Sequence, residues 1–430
     1  MTGMPDKRQE ALRRFDSKLE GRLLTYLNSC VHCGLCGESC HYYLTRPDER
    51  YLPARKVDLV AGIYRRYHTL AGRLVPRLTG ARDFDEATMH EMTDLLFGAC
   101  TMCGRCSMHC SIGIDIAFLV RTGRAMLADM GLVPRELQST VDAALRTGNN
   151  MAIPRDELVD TLTWLEEDLR MEVNDPQAVI PLDRKGRHIV YTLNPREPKF
   201  FPLSISAMAK IFYAAKEDWT LSTTSYDVTN YAYYSGDDEA AADITNHLYN
   251  EMMVLEGEKI VLAECGHGYR SFRWEGPEWI KKPYPFQVVT CLELMAGYIR
   301  QGRVKLDPSL NKVPVTLHDP CNLVRLGGIV EEPRFILRHA VENFIEMIPN
   351  RLDNYCCGGG GGQLSMSDYN ERRLTAGRLK ADQIRRTGAR IVVAPCHNCI
   401  DQLIQLNQEY KLGVEIKTVG EVMADAIVLG

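Results

Sequence analysis

The chain has 430 residues and a formal net charge of -5, with 45% hydrophobic and 25% charged residues, the balance of a soluble globular protein of two or three domains. The acidic balance argues against a nucleic-acid partner, which needs a basic face. No apolar run reaches the length of a membrane span, and residues 1–20 are charged throughout with no apolar signal core, so a cytoplasmic protein is expected.

Of the 15 cysteines, eight fall in two tight runs and five more form a looser C-terminal set. Without a secretory signal, such clustering points to metal ligation rather than disulfides. In residues 1–135, Cys30, Cys33, Cys36 and Cys40 follow C-x2-C-x2-C-x3-C, and Cys100, Cys103, Cys106 and Cys110 repeat it. This is the spacing of two-cluster ferredoxins, where three thiolates of a run hold one [4Fe–4S] cube and the fourth reaches the other. The implied sets are Cys30, Cys33, Cys36 with Cys110, and Cys100, Cys103, Cys106 with Cys40. Zinc fits two four-cysteine runs poorly. His41 and Ser111 stand where proline usually follows such a run. Residues 55–70 and 85–96 carry a helical pattern, so an all-helical two-cluster domain is expected.

Residues 136–183 form a cysteine-free connector, with Leu158, Val159, Leu162, Leu165 and Leu169 on one helical face. From residue 184 short β-branched runs alternate with helices: 188–193, 259–263, 313–317 and 390–394 predict buried strands, and a long helix runs from Ser367 past Ile384. The segment Ile260-Val-Leu-Ala-Glu-Cys265-Gly-His-Gly268 parallels Ile391-Val-Val-Ala-Pro-Cys396-His-Asn-Cys399. The region therefore divides into two related α/β halves, 184–305 and 306–430, and the chain as a whole is an α+β multidomain protein. Cys291 sits in a helical run and reads as a small buried hydrophobe.

The second half holds Cys321, Cys356, Cys357, Cys396 and Cys399, one thiol more than a cubane cluster needs. Gly358 to Gly362 follow the adjacent pair, which permits positive φ and backbone amides aimed at an anionic group. A dinucleotide fingerprint fails there, because Gln363 replaces its third glycine, and no flavin or NAD site is expected on this chain.

His318-Asp-Pro-Cys321, Tyr355-Cys-Cys-Gly-Gly359 and Ala394-Pro-Cys-His-Asn-Cys399 resemble the cysteine-rich CCG domain of heterodisulfide-reductase-type proteins, the HdrD/DsrK family. The resemblance implies a noncubane [4Fe–4S] cluster on those five cysteines that reduces or forms a disulfide or trisulfide. It implies two cubane clusters as the path to it, and membership of a hetero-oligomeric respiratory complex of sulfur metabolism, of the DsrMKJOP, Hmc or Tmc kind. The implied partners are a membrane cytochrome b-type or other integral subunit and a small DsrC-like sulfur-carrier protein, with the chain held on the inner face of the cytoplasmic membrane through its partners. The first half departs from the family pattern. Gly268 stands where a counterpart of Cys399 would be, and no cysteine pair occurs near Ser225 and Tyr226, so one site is lost. Cys265 is expected to face the remaining site, as an exchanging thiol if its pKa is lowered, with His267 as proton donor. His318 and His397 flank cluster cysteines, and His318 is a further catalytic candidate. The same architecture also occurs in iron–sulfur subunits of glycolate or lactate oxidases, and a non-catalytic electron-transfer adaptor is a third reading.

Overall fold

The computed structural model describes residues 4–429; the opening three residues of the charged N-terminal stretch and the last residue of the second α/β half lie outside them. The described chain forms two compact units. One contains the residues up to Ser139 together with Tyr231–Asp238 and Tyr355–Lys380; the other contains Thr140–Asn230, Glu239–Asn354 and the chain from Ala381 onward. The Cys356–Cys357 pair thus belongs to the same unit as the two ferredoxin-type runs.

The first unit is helical. Pro53–His68 opens with proline at its first turn, where the missing N–H costs nothing, and buries Val57, Leu59, Val60 and Ile63. It packs on Ile116–Asp129, which is capped by the Asp115 carboxylate accepting from the Phe118 amide at 3.1 Å. The helix expected at 85–96 is Glu86–Met92, capped by Asp85, and it widens into a π-helical turn, Thr93–Phe97.

The second unit carries two parallel four-stranded sheets of one topology. Strands β1 Ile189–Tyr191, β2 Trp219–Leu221, β3 Lys259–Leu262 and β4 Gln287–Thr290 lie in the order β2-β1-β3-β4. Strands β5 Val315–Leu317, β6 Phe344–Ile345, β7 Ile391–Val393 and β8 Glu415–Lys417 lie in the order β6-β5-β7-β8. Val190 pairs with Ile260 as Thr316 pairs with Val392. The four expected strands are the two inner strands of each sheet, buried on both faces and hence continuously apolar. The four outer strands went unread because Trp219-Thr-Leu, Gln287-Val-Val-Thr, Phe344-Ile and Glu415-Ile-Lys are too short or too polar to stand out. The connector helix Arg155–Glu172 buries Leu158, Leu162, Leu165 and Leu169 against Pro202–Ala214.

Candidate metal centres

In the helical unit the two cysteine runs adopt one loop conformation twice. His32 and Met102, each just before the second cysteine of its run, have φ of 54° and 53°, and Gly34 and Gly104, just after it, have φ of 82° and 72°. Positive φ at a non-glycine residue is uncommon and costs energy, so its recurrence at one position marks a geometry that the loop imposes. The loop turns amides toward sulfur: the Met102 N–H donates to Cys100 Sγ at 3.4 Å.

Two cavities result. One is lined by Cys30, Cys33, Cys36 and Cys110 between Ala54, Val57, Ile112 and Ile114. The other is lined by Cys40, Cys100, Cys103 and Cys106. Each gathers three thiols of one run and the fourth of the other. All 15 cysteines are free of disulfides. Burial, then crowding by Cys103, Cys40 and Cys100, pushes the Cys106 thiol well above its ordinary value. Four thiols converging on one cavity fit a cationic metal core that holds them as thiolates.

Lys56 was not legible as part of this site. It lies on Pro53–His68, is 2% exposed, lines the second cavity and donates to the Ala99 carbonyl at 2.6 Å. A buried ammonium beside thiolates favours their charged form.

Beside that cavity, one ligand atom each of His41, Cys103 and Cys356 lie within 4.8 Å of one another. The Cys356 thiol donates to Thr101 Oγ1 at 3.5 Å. The Gly358 and Gly359 amides donate to the Cys356 and Cys357 sulfurs at 3.4 and 3.5 Å. The glycine run also makes a close approach that the sequence did not reveal. At Gly361, with φ of 67°, a Cβ would meet the Thr101 backbone at 2.7 Å. Arg124, fully buried, ties these parts together by donating to the carbonyls of Leu96, Cys100, Tyr234 and Gly361 at 2.7–3.0 Å.

In the sheet unit the candidate residues sit at the carboxyl ends of the inner strands, where parallel α/β sheets bind ligands. Asn194 follows β1, Cys265 follows β3, His318 and Cys321 follow β5, and Cys396 and Cys399 follow β7. Cys265 and Cys396 both occupy the N-cap of the helix after their strand, Gly266–Tyr269 and His397–Tyr410. The two loops are bonded together. The His397 N–H donates to the Glu264 carbonyl at 3.0 Å, and the Glu264 carboxylate accepts from the Val419 and Gly420 amides at 2.9 and 2.7 Å. A hydrogen bond with Cys399, helped by the Cys399 and Gly266 amides, brings the Cys396 thiol down to about 6. Asp319, in the loop before Cys321, is held by a bidentate pair with Arg334 at 2.8 Å for each bond, both side chains buried.

Cys265 and His267 do meet, at 3.5 Å, but their electrostatics run against the expectation of a lowered thiol and an imidazole near neutrality. Burial pushes the Cys265 thiol well up and brings His267 down to about 3, so both are neutral at pH 7. Asn398 Nδ2 donates to His267 Nδ1 at 3.1 Å, which makes that nitrogen an acceptor for the Cys265 S–H. Asn194 Nδ2 and the Gly268 amide in turn donate to Cys265 Sγ at 3.5 and 3.4 Å. His318 is 1% exposed and Cys291 is fully buried at the start of Cys291–Arg300.

Comparison with known proteins agrees with this inventory. The family model of the 4Fe-4S dicluster domain matches residues 26–114, and that of the cysteine-rich CCG domain matches residues 315–404. An Hdr-like menaquinol oxidoreductase iron-sulfur subunit 2 of Archaeoglobus fulgidus is 27% identical over 94% of this chain and 80% of its own length. A component of the dihydromethanophenazine:CoB–CoM heterodisulfide reductase of Methanosarcina barkeri is 25% identical over 94% of this chain and 95% of its own. An EtfAB:quinone oxidoreductase of Syntrophomonas wolfei is 23% identical over 88% of this chain and 54% of its own. Over nearly its whole length the chain is thus similar to heterodisulfide-reductase-like iron–sulfur subunits, with the dicluster and cysteine-rich family models matched in one polypeptide.

Proposed function

We propose that this chain is the subunit at which a sulfur–sulfur bond is reduced, or formed in the reverse direction, in a membrane-associated complex. Cys30, Cys33, Cys36 and Cys110 would hold one cubane [4Fe–4S] cluster, and Cys100, Cys103, Cys106 and Cys40 the other. Cys321, Cys356, Cys357, Cys396 and Cys399 would hold a noncubane [4Fe–4S] cluster. When bound, these groups supply one-electron transfer, and one S–S bond takes two electrons and two protons to become two thiols. The carrying observation is the meeting of Cys103 with Cys356: a thiol of the second cubane set lies beside a thiol of the five-cysteine set.

The remaining residues take supporting roles. Lys56 holds positive charge at the second cavity. Cys265 and His267, both neutral, act as hydrogen-bond donors and acceptors toward the substrate sulfur rather than as an activated thiolate pair. His318, three residues before Cys321, is a further candidate for such a role. The names of the relatives supply the two ends of the path. One is named for menaquinol and another for a heterodisulfide, so a quinol-type carrier served through an integral cytochrome b-type partner is the proposed donor or acceptor. The single intact cysteine set favours a disulfide or trisulfide borne by a small DsrC-like carrier protein over a free heterodisulfide that needs both halves.

The test is metal analysis and electron paramagnetic resonance of the anaerobically purified protein, oxidised with and without thiol. Three clusters give about 12 iron atoms per chain and a thiol-dependent signal; about 8 iron atoms with cubane signals alone refute the third centre. A Cys357→Ser variant should lose disulfide-reductase activity while keeping both cubane signals. Cubane reduction without any disulfide turnover by the intact protein would mark an electron-transfer adaptor instead.

A further inference from the structure

After the helix Pro53–His68, and before Glu86–Met92, the helical unit extends a short helical hairpin, Leu70–Leu74 and Pro76–Thr79. Its large apolar side chains face solvent: Leu70 is 76% exposed, Leu74 79% and Leu78 86%, with Val75 at 45%. A lone exposed leucine needs no explanation, but four apolar side chains within nine residues make a patch. The hairpin is also built tightly. Thr69 Oγ1 accepts from the Gly72 N–H at 3.0 Å, and a Cβ at Gly72 would meet the Arg65 carbonyl oxygen at 2.0 Å. The leucines are therefore held outward by a folded element.

Within the hairpin segment itself the charge has one sign. Residues 59–82 contain Arg65, Arg66, Arg73, Arg77 and Arg82 and no aspartate or glutamate, in a chain of net charge -5. Arg65 pairs with Asp58, Arg66 with Asp83 and Arg82 with Glu91. Arg73, whose Nε donates to the Tyr67 carbonyl at 3.1 Å, and the exposed Arg77 have no acidic partner among the described residues. Both lie between the exposed leucines. Tyr64 and Tyr67 sit half-buried at the hairpin's base.

We propose that this hairpin is an interfacial anchor for an anionic lipid surface. The leucines enter the acyl boundary, Arg73 and Arg77 meet the phosphates, and Tyr64 and Tyr67 lie at headgroup level. An anionic bilayer offers an apolar layer edged by negative charge, the complement of leucines edged by arginines. The net negative charge of the chain makes other faces poorer candidates for the same surface. No described helix is long and apolar enough to cross a membrane, so the contact is interfacial. Val57, which lines the first cavity, lies thirteen residues before Leu70 and mostly along one helix. At the helical rise the anchor holds that cavity about 20 Å from the lipid. The inference is independent of the sulfur chemistry proposed above.

The test is sedimentation of the full chain, purified anaerobically, with vesicles of phosphatidylcholine alone and of phosphatidylcholine mixed with phosphatidylglycerol. The expected result is binding to the mixed vesicles that weakens with salt and is poor on the neutral ones. The double variant Leu74→Glu/Leu78→Glu should bind roughly tenfold more weakly or less. Arg77→Glu should reduce the preference for anionic lipid. These side chains are exposed, and unchanged cluster absorbance checks that the variants remain folded. Failure of the full chain to sediment with mixed vesicles, equal binding to both vesicle types, undiminished binding by the leucine variant, or binding only when an integral membrane protein is added would overturn the proposal.

Discussion

Replacing Arg124 with methionine should unfasten the helical unit. The guanidinium is fully buried and its five hydrogen bonds reach four carbonyl oxygens, those of Leu96, Cys100, Tyr234 and Gly361. These belong to three stretches of chain far apart in sequence, and the unit has no disulfide to join them. Burial brings the Arg124 guanidinium down to about 10, so holding the charge there costs about 3 kcal/mol, which the variant recovers. Against this, four carbonyls lose a charged donor at about 1–3 kcal/mol each. The difference is about 1–9 kcal/mol, and a net loss of about 4 kcal/mol lies near its middle. With a urea slope of roughly 2–3 kcal/mol/M, the midpoint should fall by about 1–2 M. Urea titration under anaerobic conditions, followed by cluster absorbance and by circular dichroism, measures it. Arg124→Lys keeps the charge but offers three donors and should lose about half as much. A shift below about 0.3 M for methionine would show that the carbonyls find other partners and that Arg124 is not the fastener.

Other perturbations separate the roles of neighbouring residues. Lys56→Met removes a buried positive charge from the second cavity, so the potential of the cluster held there should fall, on the order of 50–100 mV, with little change in the other, as read by redox-poised paramagnetic resonance. Gly361→Ala drives a Cβ into the Thr101 backbone and should cost the second-run cluster, whereas Gly360→Ala, with its nearest contact at 3.4 Å, should be tolerated; iron content of the two variants decides. Cys40→Ala should extinguish the signal of the second run's cluster, not that of its own run, and Cys110→Ala should do the reverse. Asp227 is raised by burial to about 7 in the folded chain, and the unfolded carboxyl titrates near 3.8, so between those values the native state holds the extra proton. Its contribution is fully present below the unfolded value and is lost as pH rises through about 7, by up to about 4 kcal/mol, and Asp227→Asn should flatten that slope in pH-dependent denaturation.

What was legible in the sequence was what has a period or a fixed spacing. The cysteine runs specify which thiols can converge, and the cavities lined by Cys30, Cys33, Cys36, Cys110 and by Cys40, Cys100, Cys103, Cys106 follow that spacing. The inner strands stood out because burial on both faces makes them continuous apolar runs. Three things had no such signature. Lys56 and Arg124 read as ordinary helix cations, since burial of a single charge depends on the partners that tertiary structure brings to it. The glycine run was expected to approach a bound group; its amides do reach the Cys356 and Cys357 sulfurs, but Gly361 is a glycine because the Thr101 peptide lies against it. At Cys265 a thiol two residues from a histidine suggests activation in sequence, and only burial shows that both groups stay neutral.

The two sheet halves also show why one lost site is not a matter of one missing thiol. Their frameworks match closely. The Cys265 amide donates to the Ala263 carbonyl at 2.6 Å as that of Cys396 does to Ala394 at 2.8 Å. Thr290 with Glu293, and Thr418 with Glu421, form capping boxes after the last strand of each sheet. The halves part at the fourth residue of the loop. Cys399 has room for its side chain, but a Cβ at Gly268 would meet the Val228 carbonyl oxygen at 2.8 Å and the Val228 methyls at 2.9 and 3.0 Å. The space for a second thiol is thus filled by the chain after β2 as well as lacking its cysteine. Restoring the letter at that position cannot restore the site. Gly268→Cys should leave the iron content of the protein unchanged and lower its stability, by about 1–3 kcal/mol for an overpacked core position. A gain in iron or a new paramagnetic signal in that variant would show that Val228 yields and that the first half still keeps the shape of a metal site.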